Sequence, residues 1–321
     1  MRPLFLFAAA FLALVPAVAG APARAQTPAA ETPAATEAPG AADGATTPDG
    51  QKPEEPKPLE PRPPFEATGP VTIPNYWDPH SRPEKPDVAI RTIRFLTSDG
   101  FPPFNFVSSD GRLSGFNVEL ARAICEVLEA ECTIQMRPFE ELETALEEDR
   151  GDAIVAGLAM TAENRKALGF SDVYLRLPAR FVARRDSDLE ATPEGLADKW
   201  VATVANTAHE AFLHAFFSNS RIITYPEPQV ARDALKAGEV DAFFGSALSL
   251  SFWLAGDAAD GCCDFLGGAY LDPTYFGSGL SIAVARDNTA LRAALDYALH
   301  RVHEEGRYGE LYLRYFPVSF Y

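Results

Sequence analysis

The sequence predicts an α/β protein with two lobes, and three observations support that prediction. Between Thr92 and Val155, short apolar strands alternate with amphipathic helices in the order βαβαβ, which is typical of a parallel sheet covered by helices. The alternation of strands and helices begins again at Lys199. The alternating part of the chain has roughly 230 residues, which is enough for two lobes of ordinary size.

The first lobe is expected to contain residues 87–183 and 280–321, and the second lobe residues 184–279. The hydrophobic pattern predicts these strands in the first lobe: Thr92–Thr97, Thr133–Met136, Ala153–Ala156 and the returning segment Gly279–Ala285. It predicts these strands in the second lobe: Lys199–Ala205, Ile222–Tyr225 and Gly238–Ser246. Predicted helices cover Ser114–Leu128, the segment around Leu142–Leu146, Asn206–Phe217, Gln229–Ala237 and residues 291–316.

Residues 1–25 have the pattern of a cleavable secretory signal. A nearly unbroken apolar run from Leu4 to Val18 precedes the sequence Ala23-Arg24-Ala25, so cleavage is expected before Gln26. A membrane anchor is the alternative, but the run is shorter than the ~18–20 residues that span a bilayer. We therefore expect a periplasmic protein, in an oxidising compartment that suits its 4 cysteines.

Residues 26–86 form a leader rich in Ala, Pro, Thr and Glu, which cannot bury enough apolar surface to fold and is expected to be disordered. Within it, residues 73–79 (IPNYWDP) combine an Ile with a Tyr and a Trp. We expect this short segment to dock on the folded body, and a protein partner is the alternative.

Charge and cysteine spacing limit the partners and ligands. The net charge of −17 argues against a nucleic-acid partner, and a monomer is expected. A bridge between Cys125 and Cys132 would close a helix onto the next strand, although the pairing cannot be read from the sequence. Cys262 and Cys263 are adjacent and have no His nearby, so we expect a structural or idle pair, with no metal and no cofactor.

The stretch Gly151–Arg185 organises the first lobe. A buried strand ends at Gly157, and a polar helix is predicted to open at Thr161, so backbone N–H groups at this corner could bind an anion. The sequence Phe170-Ser-Asp-Val-Tyr174 and a further apolar strand, Ala179–Ala183, complete the stretch.

Six motifs in this order resemble the family 3 periplasmic solute-binding proteins, the substrate-binding type of amino-acid ABC transporters. The motifs are Phe101-Pro-Pro-Phe104, Gly115–Ile124, Arg137-Pro-Phe139, Gly151-Asp-Ala-Ile-Val155, Phe170–Tyr174 and Glu305–Phe316. The resemblance covers about residues 90–317. It implies the type II periplasmic-binding-protein fold, in which two hinge strands join the lobes, a solute binds in the cleft and a membrane ABC permease receives it.

The resemblance also implies where the solute would bind. Phe101 and Phe139 match two rings that stack on the ligand from the first lobe. Thr207 matches a donor to the ligand α-carboxylate, and it opens a helix, where anions are favoured. Gly157 and Ala159 match the paired small positions at the strand end, so one hydroxyl of the family pattern is missing.

Two positions depart from the family pattern in their charge. Asn164 stands where the family has the Arg that binds the α-carboxylate, and an Asn cannot provide the charged guanidinium fork. Ser246 stands where the family has the Asp that holds the α-ammonium, and burying an unpaired ammonium costs on the order of several kcal/mol. A shift of one residue would place Arg165 in the site instead. A standard α-amino acid is therefore not the expected ligand.

The sequence leaves three functions open. The first is a solute-binding protein for a small polar molecule that is weakly or differently charged. The second is an accessory or sensor protein that keeps the fold but has a degenerate cleft. The third is a small-acid dehydratase, which would need an acid or base such as Asp99 or His209 in the cleft. We expect the first, with Asp99 among the residues around the ligand, and we do not expect an enzyme.

Overall fold

The computed structural model describes residues 71, 73–75, 82–316 and 319–321. The predicted signal, the predicted disordered leader up to residue 70, and residues 76–79 of the aromatic segment lie outside the described residues. The first half of the folded body contains, in order, β1 (Thr92–Thr97), β2 (Gly100–Phe101), β3 (Asn105–Val107), β4 (Leu113–Ser114), α1 (Phe116–Leu128), β5 (Glu131–Met136), α2 (Leu142–Glu147), β6 (Ala153–Ile154), α3 (Asn164–Ala167), β7 (Leu168–Phe170) and β8 (Ala179–Arg184).

The second half begins at Trp200 and ends with a pair of long helices. Its elements are β9 (Trp200–Val204), α4 (Ala208–Phe216), β10 (Arg221–Tyr225), α5 (Pro228–Ala237), β11 (Ala242–Ser246), α6 (Ala247–Ala255), β12 (Cys263–Tyr270), α7 (Pro273–Phe276), β13 (Ala283–Ala285), α8 (Thr289–Glu304) and α9 (Arg307–Tyr315). Short 3₁₀ turns cover Phe139–Glu141 and Asp257–Ala259.

The strands form two mixed sheets of five strands each, with the same pattern of directions. The first sheet has the order β5-β1-β6-β13-β7 and the second the order β10-β9-β11-β8-β12. In each sheet the first three strands are parallel, and the remaining two pair in the antiparallel sense. The prediction of α/β sheets is confirmed, and in each sheet a single strand, β13 in the first and β8 in the second, runs against the other four. Each of these two strands is the first that the chain forms after it crosses into that sheet.

The chain leaves the first sheet after β7 and returns to it at β13. The two crossing segments meet in an isolated antiparallel bridge between Leu175 and Leu280. Strand β8 pairs with β11 and β12, so it belongs to the second sheet, whereas the expected boundary at residue 183 places it with the first lobe. An apolar strand that either core can bury carries no signal for which sheet it will join, and the sequence pattern therefore missed this boundary.

Both faces of each sheet are covered by helices. On one face of the first sheet, residues of α1, α8 and α9 form a core with the strands, and α2 covers the other face. In the second sheet, α5 and α6 pack on one face and α4 on the other. The ring of Phe116 lies at the centre of the first core, in edge contacts with Phe104 and Tyr308. Buried aromatic side chains such as these contribute about 1.5–3 kcal/mol each to folding.

The segment before β1 contacts the first lobe where the structure describes it. Val71 packs against the core of that lobe, and Pro74 is buried. The methyl end of Ile73 lies 3.1 Å from where a Cβ on Gly309 would be, so this residue reaches the surface of α9. These contacts agree with docking on the folded body for the described part of the segment.

Both cysteine pairs are bonded. The bridge Cys125–Cys132 joins α1 to β5, as expected for a bridge that closes the helix onto the next strand. The bridge Cys262–Cys263 joins neighbouring residues at the start of β12. Among the described residues, no group of three His, Cys, Asp or Glu side chains is arranged to hold a metal ion. Within the same residues, no helix combines the length and apolar character needed to cross a bilayer.

Candidate functional site

A pocket of about 360 Å³ lies at the carboxyl ends of β1 and β6 in the first lobe. We call it the aromatic pocket, and its lining residues are Ser98, Asp99, Gly100, Phe101, Phe139, Ala156 and Gly157. It brings together four of the residues predicted from the sequence: the acidic Asp99, the two phenylalanines and Gly157. The carboxyl ends of parallel strands are a common position for ligand sites in α/β folds.

The ring of Phe101 is held from two sides. It stacks on the buried ring of Phe104, with 4.6 Å between the ring centroids. On another side it lies against Gly157, where an added Cβ would be only 2.6 Å from Cε1 of Phe101. Gly157 also has a φ of +77°, a backbone conformation that side chains other than glycine rarely adopt. The glycine at this strand end is therefore required by the ring.

Phe139 is placed differently, at the first residue of the 3₁₀ turn after β5. Its side chain is 48% exposed, which is unusual for a phenylalanine that contributes only to a core. An exposed ring beside a pocket that also contains Phe101 gives an apolar surface on which a flat or apolar part of a solute can pack.

A chain of buried hydrogen bonds holds the loop that carries Phe101. The amide Nδ2 of Asn105 donates to the backbone carbonyl of Ser98 at 2.9 Å. Asn117 Nδ2 donates to Asn105 Oδ1 at 3.0 Å, and the hydroxyl of Tyr174 donates to Asn117 Oδ1 at 2.8 Å. These side chains are fully buried, so each depends on the others for its polar partners. The network ties the loop to α1 and to the crossing segment.

The corner after Gly157 differs from the expected anion site. The predicted helix from Thr161 is a single turn, α3, and the backbone N–H of Asn164 donates to Thr161 Oγ1 at 3.0 Å. The side-chain amide of Asn164 donates to the carbonyl of Ala159 at 2.8 Å, so it stabilises the loop that precedes α3. The exposed Arg165 lies near Met160, and its guanidinium is 5.7 Å from the centroid of the Phe170 ring.

A second pocket of about 340 Å³ lies beside this corner and is lined by loop residues of the first lobe, by α7 and by the crossing segments. We call it the hinge pocket. Gly157, Ala159 and Thr161 line it from the first lobe, and Phe276 lines it from the second. Neither Asn164 nor Arg165 lines the aromatic pocket or the hinge pocket.

The second lobe has a cavity of about 170 Å³ at the carboxyl ends of β9 and β11. We call it the second-lobe cavity. Its polar lining residues are Thr203, Thr207, His209, Arg232, Ser246 and Ser249. Two of the residues predicted from the sequence, Thr207 and Ser246, therefore share one cavity.

Thr207 and Ser246 are the N-caps of α4 and α6. Thr207 Oγ1 accepts from the backbone N–H of Glu210 at 3.3 Å, and it donates to the carbonyl of Val204 at 2.7 Å. In turn, the side chain of Glu210 accepts a hydrogen bond at Oε2 from the backbone N–H of Asn206 at 2.6 Å. The two bonds form a reciprocal cap that fixes the start of α4. Ser246 Oγ accepts from the backbone N–H of Ser249 at 3.5 Å.

His209 is packed in the second lobe. Its ring stacks on Phe276 with 5.3 Å between centroids and lies 5.8 Å from Phe244. Burial lowers the pKa of His209 to about 4, because the charged imidazolium would lose its hydration there. Asp99 and His209, the acid–base candidates for a dehydratase, line two separate pockets, one in each lobe.

Arg232 is a charged residue of this site that sequence reasoning missed. It lies on α5, next to the buried residue Ala231, and it lines the second-lobe cavity together with Ser246. Arg232 also lines a groove of about 650 Å³ in which Pro102 and Pro103 of the first lobe take part. We call this the interlobe groove. The only signal in the sequence was a charged residue beside the apolar stripe of a helix, and this pattern is usually a solvated face.

The fold and these pockets define a class of protein: two α/β lobes, joined by two crossing segments, with ligand-sized pockets where the lobes meet. The family model of bacterial extracellular solute-binding proteins, family 3, matches residues 93–318. The chain belongs to this family, as the motifs of the sequence predicted.

Curated relatives agree with this assignment. The chain is 31% identical over 228 residues to the putative ABC transporter arginine-binding protein 2 of Escherichia coli strain K12, covering 71% of this chain and 92% of that protein. It is 27% identical over 233 residues to the histidine-binding periplasmic protein of the same strain, covering 72% and 90%. Both relatives are named as binding proteins, and the first is named as part of an ABC transporter.

Solved structures support the fold. The L-cystine solute receptor of Neisseria gonorrhoeae in its unliganded open conformation aligns with a TM-score of 0.62 and 18% identity, covering 70% of this chain and 92% of that one. The second substrate-binding domain of Lactococcus lactis GlnP, also in an open conformation, aligns with a TM-score of 0.61 and 15% identity, covering 73% and 99%. At these identities the likeness concerns the two-lobe architecture.

Proposed function

We propose that this protein captures a small polar solute between its lobes in the periplasm and delivers it to an ABC-type permease, and that the solute is not a standard α-amino acid. Membership of the family and the names of its curated relatives support the transport role. The signal-like pattern of residues 1–25 supports export to the periplasm and removal of that segment.

The observation that carries the proposal of a solute other than an α-amino acid is the chemistry around Ser246. Among the described residues that line the second-lobe cavity, none is acidic. An α-ammonium group placed there would lose its hydration without gaining an anionic partner, at a cost on the order of several kcal/mol. The guanidinium of Arg232 in the same lining would add repulsion.

The first lobe supports the same conclusion. A carboxylate clamp needs a charged donor, and the Asn164 amide is engaged with the carbonyl of Ala159. Arg165 is exposed and lies beside Phe170, away from the lining of the aromatic pocket. An α-ammonium group would therefore lack an anionic partner, and an α-carboxylate would lack the charged donor that the family pattern has in the first lobe, while Phe101 and Phe139 still offer a surface for an apolar group.

The test is a thermal-shift screen of the mature protein against the standard amino acids and a library of other small polar solutes. We expect stabilisation by at least one solute outside the amino acids, since a ligand that binds only the folded state raises the melting temperature. Phe139→Ala should weaken the affinity for that solute by about tenfold, which is roughly 1.4 kcal/mol of binding free energy.

Phe216→Ala is the matched control, because this ring is also 48% exposed but packs on Phe212 in α4, outside the three pockets and the groove. Its affinity for the solute should equal that of the wild type. Stabilisation by amino acids alone would overturn the proposal for the ligand. Stabilisation by no solute would overturn the transport role and favour the accessory or sensor function.

A further inference from the structure

The charge of the second-lobe cavity points to the kind of solute that it accepts. Among the described residues that line the cavity, Arg232 alone is charged at neutral pH, since the imidazole of His209 is neutral there. A guanidinium remains protonated in proteins under all ordinary conditions. The cavity therefore has one positive charge and no negative charge among its described lining residues.

The surroundings of Arg232 leave this charge uncompensated inside the cavity. Its Nη2 donates to Ser249 Oγ at 2.7 Å, and its guanidinium lies 5.7 Å from the centroid of the Trp253 ring. Its Nε is buried and has no hydrogen-bond partner in the described part of the chain. Burial lowers the pKa of Arg232, and the neighbouring Asp233 opposes this effect. The partner of the guanidinium in the cavity lining is thus the neutral hydroxyl of Ser249, and the Trp253 ring near it lines the interlobe groove.

Asp257, in the second 3₁₀ turn, is an acidic residue that lines the interlobe groove together with Arg232. It does not line the second-lobe cavity. The carboxylate of Asp99 belongs to the aromatic pocket in the other lobe. An anion inside the second-lobe cavity would therefore meet the cation of Arg232 without an acidic side chain in the same lining.

The hydroxyls of the cavity differ in what they can donate. The hydrogen of Thr207 is used on the carbonyl of Val204, and that of Thr203 on the carbonyl of Phe244. Ser246 accepts from the backbone N–H of Ser249, so its own hydrogen is available for a bound oxygen. Arg232 and Ser246 together can donate to the two oxygens of one carboxylate.

We infer that the second-lobe cavity binds the carboxylate of a small organic monoanion, with Arg232 as its cationic partner and Ser246 as a hydroxyl donor. A single positive charge is balanced by one carboxylate, whereas a phosphate dianion would leave a negative charge unpaired in the cavity. The interlobe groove connects Arg232 and Ser246 with the loop of Phe101, and the aromatic pocket supplies an apolar surface for the body of the acid. This inference rests on the proposed solute-binding function and names the class of its solute.

The experiment measures affinities of the mature protein for carboxylates and their neutral amides. The probe pairs are acetate and acetamide, benzoate and benzamide, and phenylacetate and phenylacetamide. Isothermal titration calorimetry measures the affinity for each probe. Each pair has nearly the same shape and differs in charge. We expect the wild type to bind at least one carboxylate ten times more tightly than its amide or better.

Two variants attribute this preference to the cavity. Arg232→Gln should reduce the preference to less than twofold, while Lys236→Gln, one turn later on the same helix and outside the cavity lining, should leave it unchanged. Ser246→Asp places a negative charge beside Arg232 and should also abolish the preference, whereas Ser246→Asn, which lacks that charge and can still donate a hydrogen bond, should reduce the preference less than Ser246→Asp does. The second pair keeps the test valid if Arg232→Gln does not fold.

The outcomes separate this inference from the proposed function. Equal affinity for carboxylate and amide, or a preference that both Arg232→Gln and Ser246→Asp retain, overturns the inference. Binding of no carboxylate by a protein that other neutral or cationic solutes stabilise also overturns it, and leaves the solute-binding function standing. A protein that binds none of the probes and that no solute stabilises contradicts both.

Discussion

Replacing Asn117 with Ala should destabilise the protein more than the size of the change suggests. Asn117 donates to Asn105 Oδ1 and accepts from the Tyr174 hydroxyl, and all three side chains are fully buried. The variant would leave the Asn105 oxygen and the Tyr174 hydroxyl without partners. Each buried polar group that loses its partner costs about 1–3 kcal/mol, so we expect a total loss of about 3–5 kcal/mol in the free energy of unfolding.

Urea unfolding measures this loss, with Tyr174→Phe as the graded comparison. That variant removes one hydroxyl and one hydrogen bond, and it should cost about 1–2 kcal/mol. Burial raises the pKa of Tyr174 well above its usual range, so the difference between the variants should not depend on pH across the neutral region. A loss of less than 1 kcal/mol for Asn117→Ala would refute the view that this network holds the loop of the aromatic pocket.

Three further predictions concern the same site and the stability of the first lobe. Gly157→Ala should lower the free energy of unfolding by about 2–4 kcal/mol, because the φ of Gly157 is +77° and a Cβ would lie 2.6 Å from the Phe101 ring. Gly268→Ala is the control: nothing lies within 4 Å of the added Cβ, so the loss should be under about 1 kcal/mol. Phe139→Ala should change the unfolding free energy by less than about 1 kcal/mol, since its ring is half exposed; a larger loss would assign it to the core. Burial raises the pKa of Asp296 to about 6, so the folded state binds a proton more tightly than the unfolded state and wild-type stability falls as pH rises from about 4 to about 6. Asp296→Asn should therefore raise the free energy of unfolding by about 3 kcal/mol at pH 7 and leave it unchanged at pH 4, measured by urea unfolding at both values. An equal effect at both pH values would contradict this pKa.

Much of the fold could be predicted because its elements follow simple hydrophobic periods. Strands β1, β5, β9 and β10 and the helices α1, α4 and α5 lie within about three residues of the segments expected for them. Helix α6 and strand β12 are two of the elements that gave no such signal. Helix α6 is apolar on all sides, so it shows no amphipathic period, and β12 contains two consecutive glycines that weaken a strand pattern.

The site was only partly predictable, for a physical reason. Phe101, Gly157, Thr207 and Ser246 stand at strand ends or helix starts, which sequence motifs mark well. Arg232 lies in the middle of a helix, and its position in the cavity depends on how α5 packs against β11 and α6. Tertiary packing of this kind leaves no mark in the local sequence, so the residue that determines the charge of the cavity emerged only from the structure.

The most direct test of the account is an isothermal titration of the mature protein with L-arginine, the ligand in the name of a similar protein of Escherichia coli. The account predicts no saturable binding up to millimolar concentrations, because the cavity around Ser246 has a cation where an ammonium would need an anion. A micromolar dissociation constant, about −8 kcal/mol, would contradict it and show that an α-amino acid finds its partners elsewhere in the cleft.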